Sequence, residues 1–285
     1  MTREHVRTIA LCSKAGSDAA EELRNAICRW FSDRCVPCVS FTYDHDAPDF
    51  FEKIDDVDLV LVLGGDGTFV SVARRLAANP KPILGVNLGR VGFLAEVPVS
   101  GWDIALSGML ANGVSVEKGL VLEYSLRREG AEILAGLAVN DLVVSRGGPA
   151  RLVSLDLEVD DRHLAVLRAD GFIVSTPTGS TGYTGSARGP LLHPGLDAYA
   201  LTPICPFMSN FLPMVVSGGT RFAITVEESG PEIYLTVDGQ ESLQLREGDS
   251  LHVTGKADGI RFARIDDEGY FAKLRFAGFV RDFSK

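Results

Sequence analysis

The stretch that decides the fold is Leu59-Val60-Leu61-Val62-Leu63, running without a break into Gly64-Gly65-Asp66-Gly67-Thr68. Five consecutive apolar residues bounded by glycine read as a strand buried on both faces, as in a parallel sheet covered by helices. The glycines then turn the chain, since without a Cβ they reach φ > 0 and let a ligand come close to the backbone. Thr68 suits a helix N-cap, and Phe69 to Ala78 continue with helix-compatible residues. A strand, a glycine turn and a helix N-terminus together favour an anion, through free backbone N–H groups and the helix dipole. Asp66 is itself an anion, so a bare phosphate cradle does not account for it. A carboxylate placed there accepts a proton or holds a metal ion against phosphates.

On the N-terminal side of this stretch, Val6 to Cys12 reads as a first strand. Ser17-Asp18 opens an amphipathic helix through Phe31, and Val36 to Phe41 reads as a second strand. Asp44 to Asp49 is acidic and turn-prone, and a short helix follows it. On the C-terminal side, Asn79-Pro80-Lys81-Pro82 leads to the apolar strand Ile83 to Val86, which ends in a second glycine turn over 85–92. Alternating strands and helices mean βαβ units and a parallel, Rossmann-like α/β sheet, whose ligands bind beyond the carboxyl ends of the strands. Both glycine turns lie on that edge.

From about Val116 the pattern changes to short β-rich segments, around 119–127, 133–145, 151–159, 163–168, 171–175, 213–217, 221–227, 232–238 and 250–254, broken by Gly, Asp or Pro. Such spacing predicts an antiparallel, β-sandwich-like second domain. The expected organisation is an α/β domain over 1–115, a β-rich domain over 116–268, and a helical tail over 269–285 that returns to the first domain.

Composition sets the class. The chain has 285 residues, 46% hydrophobic and 23% charged, the proportions of an ordinary globular protein. A net charge of −10 argues against broad binding to nucleic acid or to an anionic membrane. Met1 to Arg7 has no signal-peptide character and no run reaches membrane length, so a cytoplasmic enzyme is expected. Five cysteines, an odd number, fit a reducing compartment. Cys35-Val36-Pro37-Cys38, with Cys28 nearby, has the C-x-x-C spacing of redox and zinc sites. No second pair completes a tetrahedral site, which leaves structural thiols as the simpler reading.

The other informative stretch is Arg168 to Ser186, an apolar strand followed by a dozen residues dominated by Thr, Ser and Gly with one tyrosine. That density of hydroxyls and bare backbone suits a polar, planar ligand rich in hydroxyls, such as a nucleoside. The common nucleotide signatures are missing: there is no G-x-x-x-x-G-K-[ST], and the first βα turn, Cys12 to Gly16, lacks G-x-G-x-x-G. A G-x-S-x-G elbow and an H-E-x-x-H pair are also missing.

GGDGT together with the Thr/Ser/Gly loop strongly resembles the NAD kinase family. The resemblance extends through GVNLGRVGFLAEV (85–97), VNDLVVSRG (139–147), the run from Arg168 to Pro206, and VDGQ (237–240). It implies transfer of the terminal phosphate of ATP, or in some members of polyphosphate, to the 2′-hydroxyl of the adenosine ribose of NAD. On this resemblance Asp66 is the proton acceptor, and Gly64, Gly65, Gly67 and Thr68 hold the ATP phosphates with Mg²⁺. The resemblance likewise implies that NAD is bound by Asp66, Gly67, Asn140, Asp141, Arg151, Arg168, Asp170, Thr178, Thr181, Gly182, Tyr183, Thr184, Gly185, Ser186, Cys205 and Gln240. No protein-only metal cage is implied, and a homodimer or homotetramer is. His193 is taken as structural.

The family run is usually Thr-Ala-Tyr-Ser-Leu-Ser and then Ala-Gly-Gly-Pro. Here it is Thr181-Gly182-Tyr183-Thr184-Gly185-Ser186 and then Ala187-Arg188-Gly189-Pro190. Two added glycines loosen the loop, and Arg188 adds a cation. After Cys205-Pro206 this chain has Phe207-Met208-Ser209-Asn210, another departure. Diacylglycerol and sphingosine kinases carry turns related to GGDGT, so a lipid or sphingoid-base kinase is one alternative. A catalytically silent NAD-binding sensor is another.

Overall fold

The strand Leu59–Gly64 is buried along its whole length and lies inside a parallel sheet, in the order Pro82–Asn87, Leu59–Gly64, Ile9–Lys14, Cys38–Tyr43. A computed structural model describes residues 3–43, 50–89, 92–148, 151–228, 232–265 and 270–280. The turn at 44–49, Arg90 and Val91 of the second glycine turn, and 281–285 of the tail lie outside the described residues.

Two compact units result, one made of 1–117 with 260–285 and the other of 118–259. The second unit ends at Gly259 rather than at the expected 268, because one strand, Ser250–Arg264, runs on past the expected stop at 254. Its residues Arg261 and Phe262 pair in parallel with Pro82 and Ile83, which places the end of the strand in the first unit.

In the first unit, Leu59, Leu61 and Leu63 share a core with Ile27 and Phe31 of the helix Asp18–Ser32 and with Leu106 and Met109 of the helix Trp102–Asn112. Alternation turns Val60 and Val62 to the other face of the sheet. The helix Asp18–Ser32 starts where the sequence places it, with Ser17 Oγ accepting from the Ala20 N–H at 3.3 Å. The helix Trp102–Asn112 was not among the expected elements. The C-terminal helix Tyr270–Phe276 belongs to this unit.

The second unit is a β-sandwich. One sheet has the antiparallel order Met214–Ser217, Ala198–Ile204, Gly171–Ser175, Asp141–Arg146, Ile233–Val237, Glu241–Leu245. The other contains Arg162–Ala169, Val153–Val159, Phe222–Val226 and the first part of Ser250–Arg264. Alternate residues of both sheets fill the space between: Leu142, Val144, Phe172 and Val174 from one, Leu155, Leu157, Phe222 and Ile224 from the other. The Phe172 and Phe222 rings meet at 5.5 Å.

Two strands of this unit escape a reading of the sequence. Ala198–Ile204 contains Pro203, which normally argues against a central strand, and Glu241–Leu245 is exposed at four of its five positions.

Candidate active site

The glycine turn differs from its expected geometry in two ways. Helix Asp66–Leu76 begins two residues before Thr68, with Gly65 as N-cap at φ −96° and no side-chain cap, so Thr68 sits inside the first turn. None of Gly64, Gly65 and Gly67 has positive φ. Their value is room. A Cβ on Gly64 would lie 2.7 Å from Thr68 Cβ, whereas a Cβ on Gly65 or Gly67 meets nothing within 4 Å. The exposed outer side of the turn is therefore open to a ligand, next to a helix N-terminus.

Asp66 is half-buried in the first turn of that helix. Its carboxylate accepts three consecutive backbone N–H groups: Phe93 on Oδ2 at 2.8 Å, and Leu94 and Ala95 on Oδ1 at 3.2 and 3.0 Å. A carboxylate has about four acceptor directions, so one is left for a hydroxyl. Among the described residues no group of three or more His, Cys, Asp or Glu could hold a metal.

The second unit brings a different set together. Thr176 Oγ1 donates to Val139 O at 2.6 Å, the Thr176 N–H donates to Asn140 O at 2.9 Å, and the Gly179 N–H donates back to Thr176 Oγ1. The Thr/Ser/Gly loop is not an open loop: Thr178–Thr181 forms a 3-10 turn and Tyr183–Ser186 a helical turn. A Cβ on Gly179 would lie 2.1 Å from Asn140 O, so glycine is what lets the turn press on the 139–141 backbone. Gly182, Tyr183 and Ser186 are exposed, Thr181 and Gly185 partly so, and Thr184 is fully buried. Asn140 Oδ1, Thr178 Oγ1 and Thr184 Oγ1 are buried with no hydrogen-bond partner among the described residues.

Asp238 is the residue that the sequence did not single out. It is the first central residue of the turn between Ile233–Val237 and Glu241–Leu245, with φ 51° followed by Gly239 at 66°, the arrangement that favours Asp-Gly in hairpins. Its carboxylate accepts the N–H groups of Val139, Asn140 and Asp141 at 3.1, 2.7 and 3.1 Å. Asp238-Gly239 is the kind of dipeptide that marks a hairpin, although Glu241–Leu245 was not among the expected strands; nothing local marks the distant amides. Gln240 is exposed at the end of this turn.

Burial, and after it the charge of Asp238, raises the Asp141 pKa to about 7. A raised folded-state pKa means that the folded protein keeps a proton that the unfolded chain releases above about pH 4. The resulting stability is lost as pH rises through about 7. Asp141→Asn, neutral at every pH, is therefore expected to melt higher than the parent at pH 8. A gap on the order of 4 °C is expected, the shift that about 1–2 kcal/mol makes in a chain of this size. It should narrow as the pH is lowered toward about 4, and a pH series of melting curves checks this.

Of the remaining expected contacts, Asp170 and Arg168 are joined by backbone hydrogen bonds to Ile204 and Phe207, on either side of Cys205. Asp170 is paired with Arg146 Nε at 2.8 Å, a partner that the sequence did not suggest. Arg168 is exposed on the strand Arg162–Ala169, and its carbonyl accepts the Phe207 N–H at 2.8 Å, which places exposed Cys205, at φ 47°, on the neighbouring segment. Arg151 is exposed. All the cysteines are free thiols; that of Cys38 is hydrogen-bonded with Cys28, and burial pushes its pKa up to about 12. Such a thiol is protonated and unreactive at neutral pH.

Comparison with known proteins agrees with both halves. Residues 42–114 match a family model described as the ATP-NAD kinase N-terminal domain, and residues 139–264 match the ATP-NAD kinase C-terminal domain. The chain is 49% identical over 277 residues to an NAD kinase of Nitratidesulfovibrio vulgaris, covering 97% of this chain and 93% of the relative. It is 45% identical over 284 residues to an NAD kinase of Oleidesulfovibrio alaskensis, covering 99% and 96%. Among solved structures, yeast NADH kinase complexed with NADH superposes with a TM-score of 0.84 at 21% identity, covering 99% and 91% of the two chains, a likeness of fold. An NAD kinase from Archaeoglobus fulgidus in complex with ATP gives 0.74 at 26% identity, covering 94% and 99%.

Proposed function

This chain belongs to the NAD kinase family, and on that premise we propose how its residues divide the phosphoryl transfer from ATP to NAD. Asp66 carries the proposal. Its carboxylate is fixed by three backbone N–H groups with one acceptor direction left, at a helix N-terminus whose glycines leave the approach open. Asp66 takes the proton of the adenosine 2′-hydroxyl of NAD, and that oxygen attacks the γ-phosphorus. Gly64, Gly65, Gly67 and Thr68 hold the ATP phosphates through backbone N–H groups and the helix dipole. Mg²⁺ on those phosphates supplies charge neutralisation.

In the second unit, Asn140, Thr178 and Thr184 have buried oxygens without partners. Each such atom costs about 1–3 kcal/mol when left unmade, which a polar ligand recovers. NAD is the ligand assigned to them, with Asp141, Gln240, Thr181, Gly182, exposed Tyr183, Gly185 and Ser186 along the same turns. Arg151, Arg168, Asp170 and Cys205 are assigned to NAD by family resemblance. Guanidinium forks suit its pyrophosphate.

Release of ADP with NAD, ATP and Mg²⁺, matched by NADP formation, is the expected result. No release with NAD but release with a sphingoid base or diacylglycerol would overturn the reading. The lipid-kinase and silent-sensor alternatives find no support among the relatives. The same assay with polyphosphate and with NADH fixes donor and acceptor preference. A homodimer or homotetramer working in the cytoplasm belongs to this proposal and is checked by light scattering and by fractionation. No described helix is long and apolar enough to cross a membrane.

A further inference from the structure

We infer that the C-terminal helix is a positioning element for the reaction: Tyr270 and Lys273 grip the segment 93–96 from both ends, and through it hold the Asp66 carboxylate in place. The inference rests on the reading of Asp66 as proton acceptor.

Three consecutive N–H groups converge on one carboxylate only while the backbone of 93–95 keeps one shape. Those residues lie outside any helix or strand, and the two-residue strand Val97–Pro98 begins just after them. Their fixation therefore has to come from side chains. At one end the Phe93 ring meets the Tyr270 ring edge-on, 5.8 Å between centroids. In the middle Asn87 Nδ2 donates to Ala95 O at 3.3 Å. At the other end Glu96 Oε2 accepts from Arg264 at 2.9 Å and from Lys273 Nζ.

Tyr270 and Lys273 stand three residues apart on the helix Tyr270–Phe276, a spacing that puts them on one face. The side chains of Lys273 and Glu96 are 19% and 13% exposed, so their pair is largely out of water, where it is screened less than a surface pair. Arg264 also reaches Glu117 at 3.2 Å, which ties Glu96 to the start of a long strand. The path from helix to carboxylate is thus short and continuous: Tyr270 to Phe93 to Asp66 on one side, Lys273 to Glu96 and its neighbour Ala95 to Asp66 on the other.

The test measures kcat and KM for NAD and ATP in Lys273→Met and Tyr270→Leu, with Lys273→Arg as the conservative variant. Lys118→Met, which breaks the exposed pair with Asp258, is the control. Displacement of a reacting group by a fraction of an ångström predicts a kcat loss of about tenfold with KM within about twofold. Lys273→Arg should restore most of the rate, and Lys118→Met should not change it. Amide exchange at Phe93, Leu94 and Ala95 should speed up in Lys273→Met and Tyr270→Leu, a readout independent of turnover. In an Asp66→Asn background the tenfold loss should vanish, because the group being positioned is no longer a base.

An unchanged kcat in well-folded Lys273→Met and Tyr270→Leu would overturn the inference, as would the same fractional loss in both backgrounds. Full activity of Asp66→Asn alone would overturn the reading of Asp66 and the positioning role with it, while the exchange rates would still report whether the helix holds the segment. Melting curves identify a variant that fails to fold, and two variants at opposite ends of the segment guard against that outcome.

Discussion

Asp66→Asn is expected to lower kcat by about 10²- to 10⁴-fold, the range for loss of a general base, while NAD binding persists. The substitution changes little in shape and much in chemistry. An amide keeps one acceptor oxygen, which can go on receiving the Leu94 and Ala95 N–H groups now bound to Oδ1. Its NH₂ then faces the Phe93 N–H, now 2.8 Å from Oδ2, so one strong bond is replaced by two opposed donors. That mismatch costs about 1–3 kcal/mol, so a melting temperature lower by several degrees is expected alongside the rate loss. The two effects are separable. Saturation with NAD, followed by calorimetry, should give a dissociation constant close to that of the parent, because the acceptor contacts assigned to Asn140, Thr178 and Tyr183 are untouched. A variant that binds NAD, stays folded at the assay temperature and turns over at the parent rate would remove Asp66 from the chemistry.

What a sequence announces about such a site is the residue types suited to a ligand; what it hides is what holds them. Leu59 to Thr68 carried the parallel sheet, the turn and the carboxylate in ten consecutive letters, because a strand buried on both faces leaves a continuous apolar run. The sandwich was legible from many short β-rich segments at regular spacing, and alternate residues of them, such as Leu142 with Val144 and Phe172 with Val174, face one core. Of the two properties read from the glycines of the turn, left-handed backbone is not used there, and space is what Gly64 supplies against Thr68. Strand Ser250–Arg264 was cut short because Gly255 and Gly259 read as breaks, and Glu241–Leu245 was missed because an exposed edge strand has no apolar face to show.

The supports were out of reach for a different reason. Asp66 binds amides 27 to 29 residues away, and Asp238 binds amides 97 to 99 residues away. Any residue type can donate its backbone N–H, so the partner segments bear no compositional mark. The same device appears in both units: one carboxylate gathers three successive N–H groups and fixes a short run of backbone. In the first unit that carboxylate is the proposed base itself. In the second, Asp238 instead presents its neighbours Asn140 and Asp141, and its charge adds to the burial that raises the Asp141 pKa. One chemical motif thus holds the proposed base directly in one unit and the residues proposed to bind NAD indirectly in the other.

Gly92→Ala tests the direct case by sterics alone and is expected to reduce kcat by about 10²-fold, the loss that a misplacement of about 1 Å can cause. A Cβ at position 92 would lie 2.1 Å from Asp66 Oδ1 and 2.6 Å from its Cγ, distances that no real contact sustains. The three nearest atoms that this Cβ would meet all belong to the Asp66 carboxyl group, so the overlap falls on the carboxylate. Asp66 must then rotate or withdraw, and it gives up some of its bonds to Phe93, Leu94 and Ala95. Charge-assisted bonds of this kind are worth about 1.5–3 kcal/mol each, so a fall in melting temperature of several degrees should accompany the rate loss. The base itself remains in the sequence, which distinguishes this variant from Asp66→Asn: chemistry is retained and geometry is lost. Gly67→Ala is the matched comparison, because its Cβ meets nothing within 4 Å and the fold should absorb it. Its expected effect falls on the KM for ATP, where the added methyl meets the phosphates, and its melting curve should stay within about 1 °C of the parent, as for a surface change away from special contacts. A Gly92→Ala variant with the parent kcat would mean that the carboxylate does its work from more than one position, and the tight grip on it by three amides would then be a matter of stability alone.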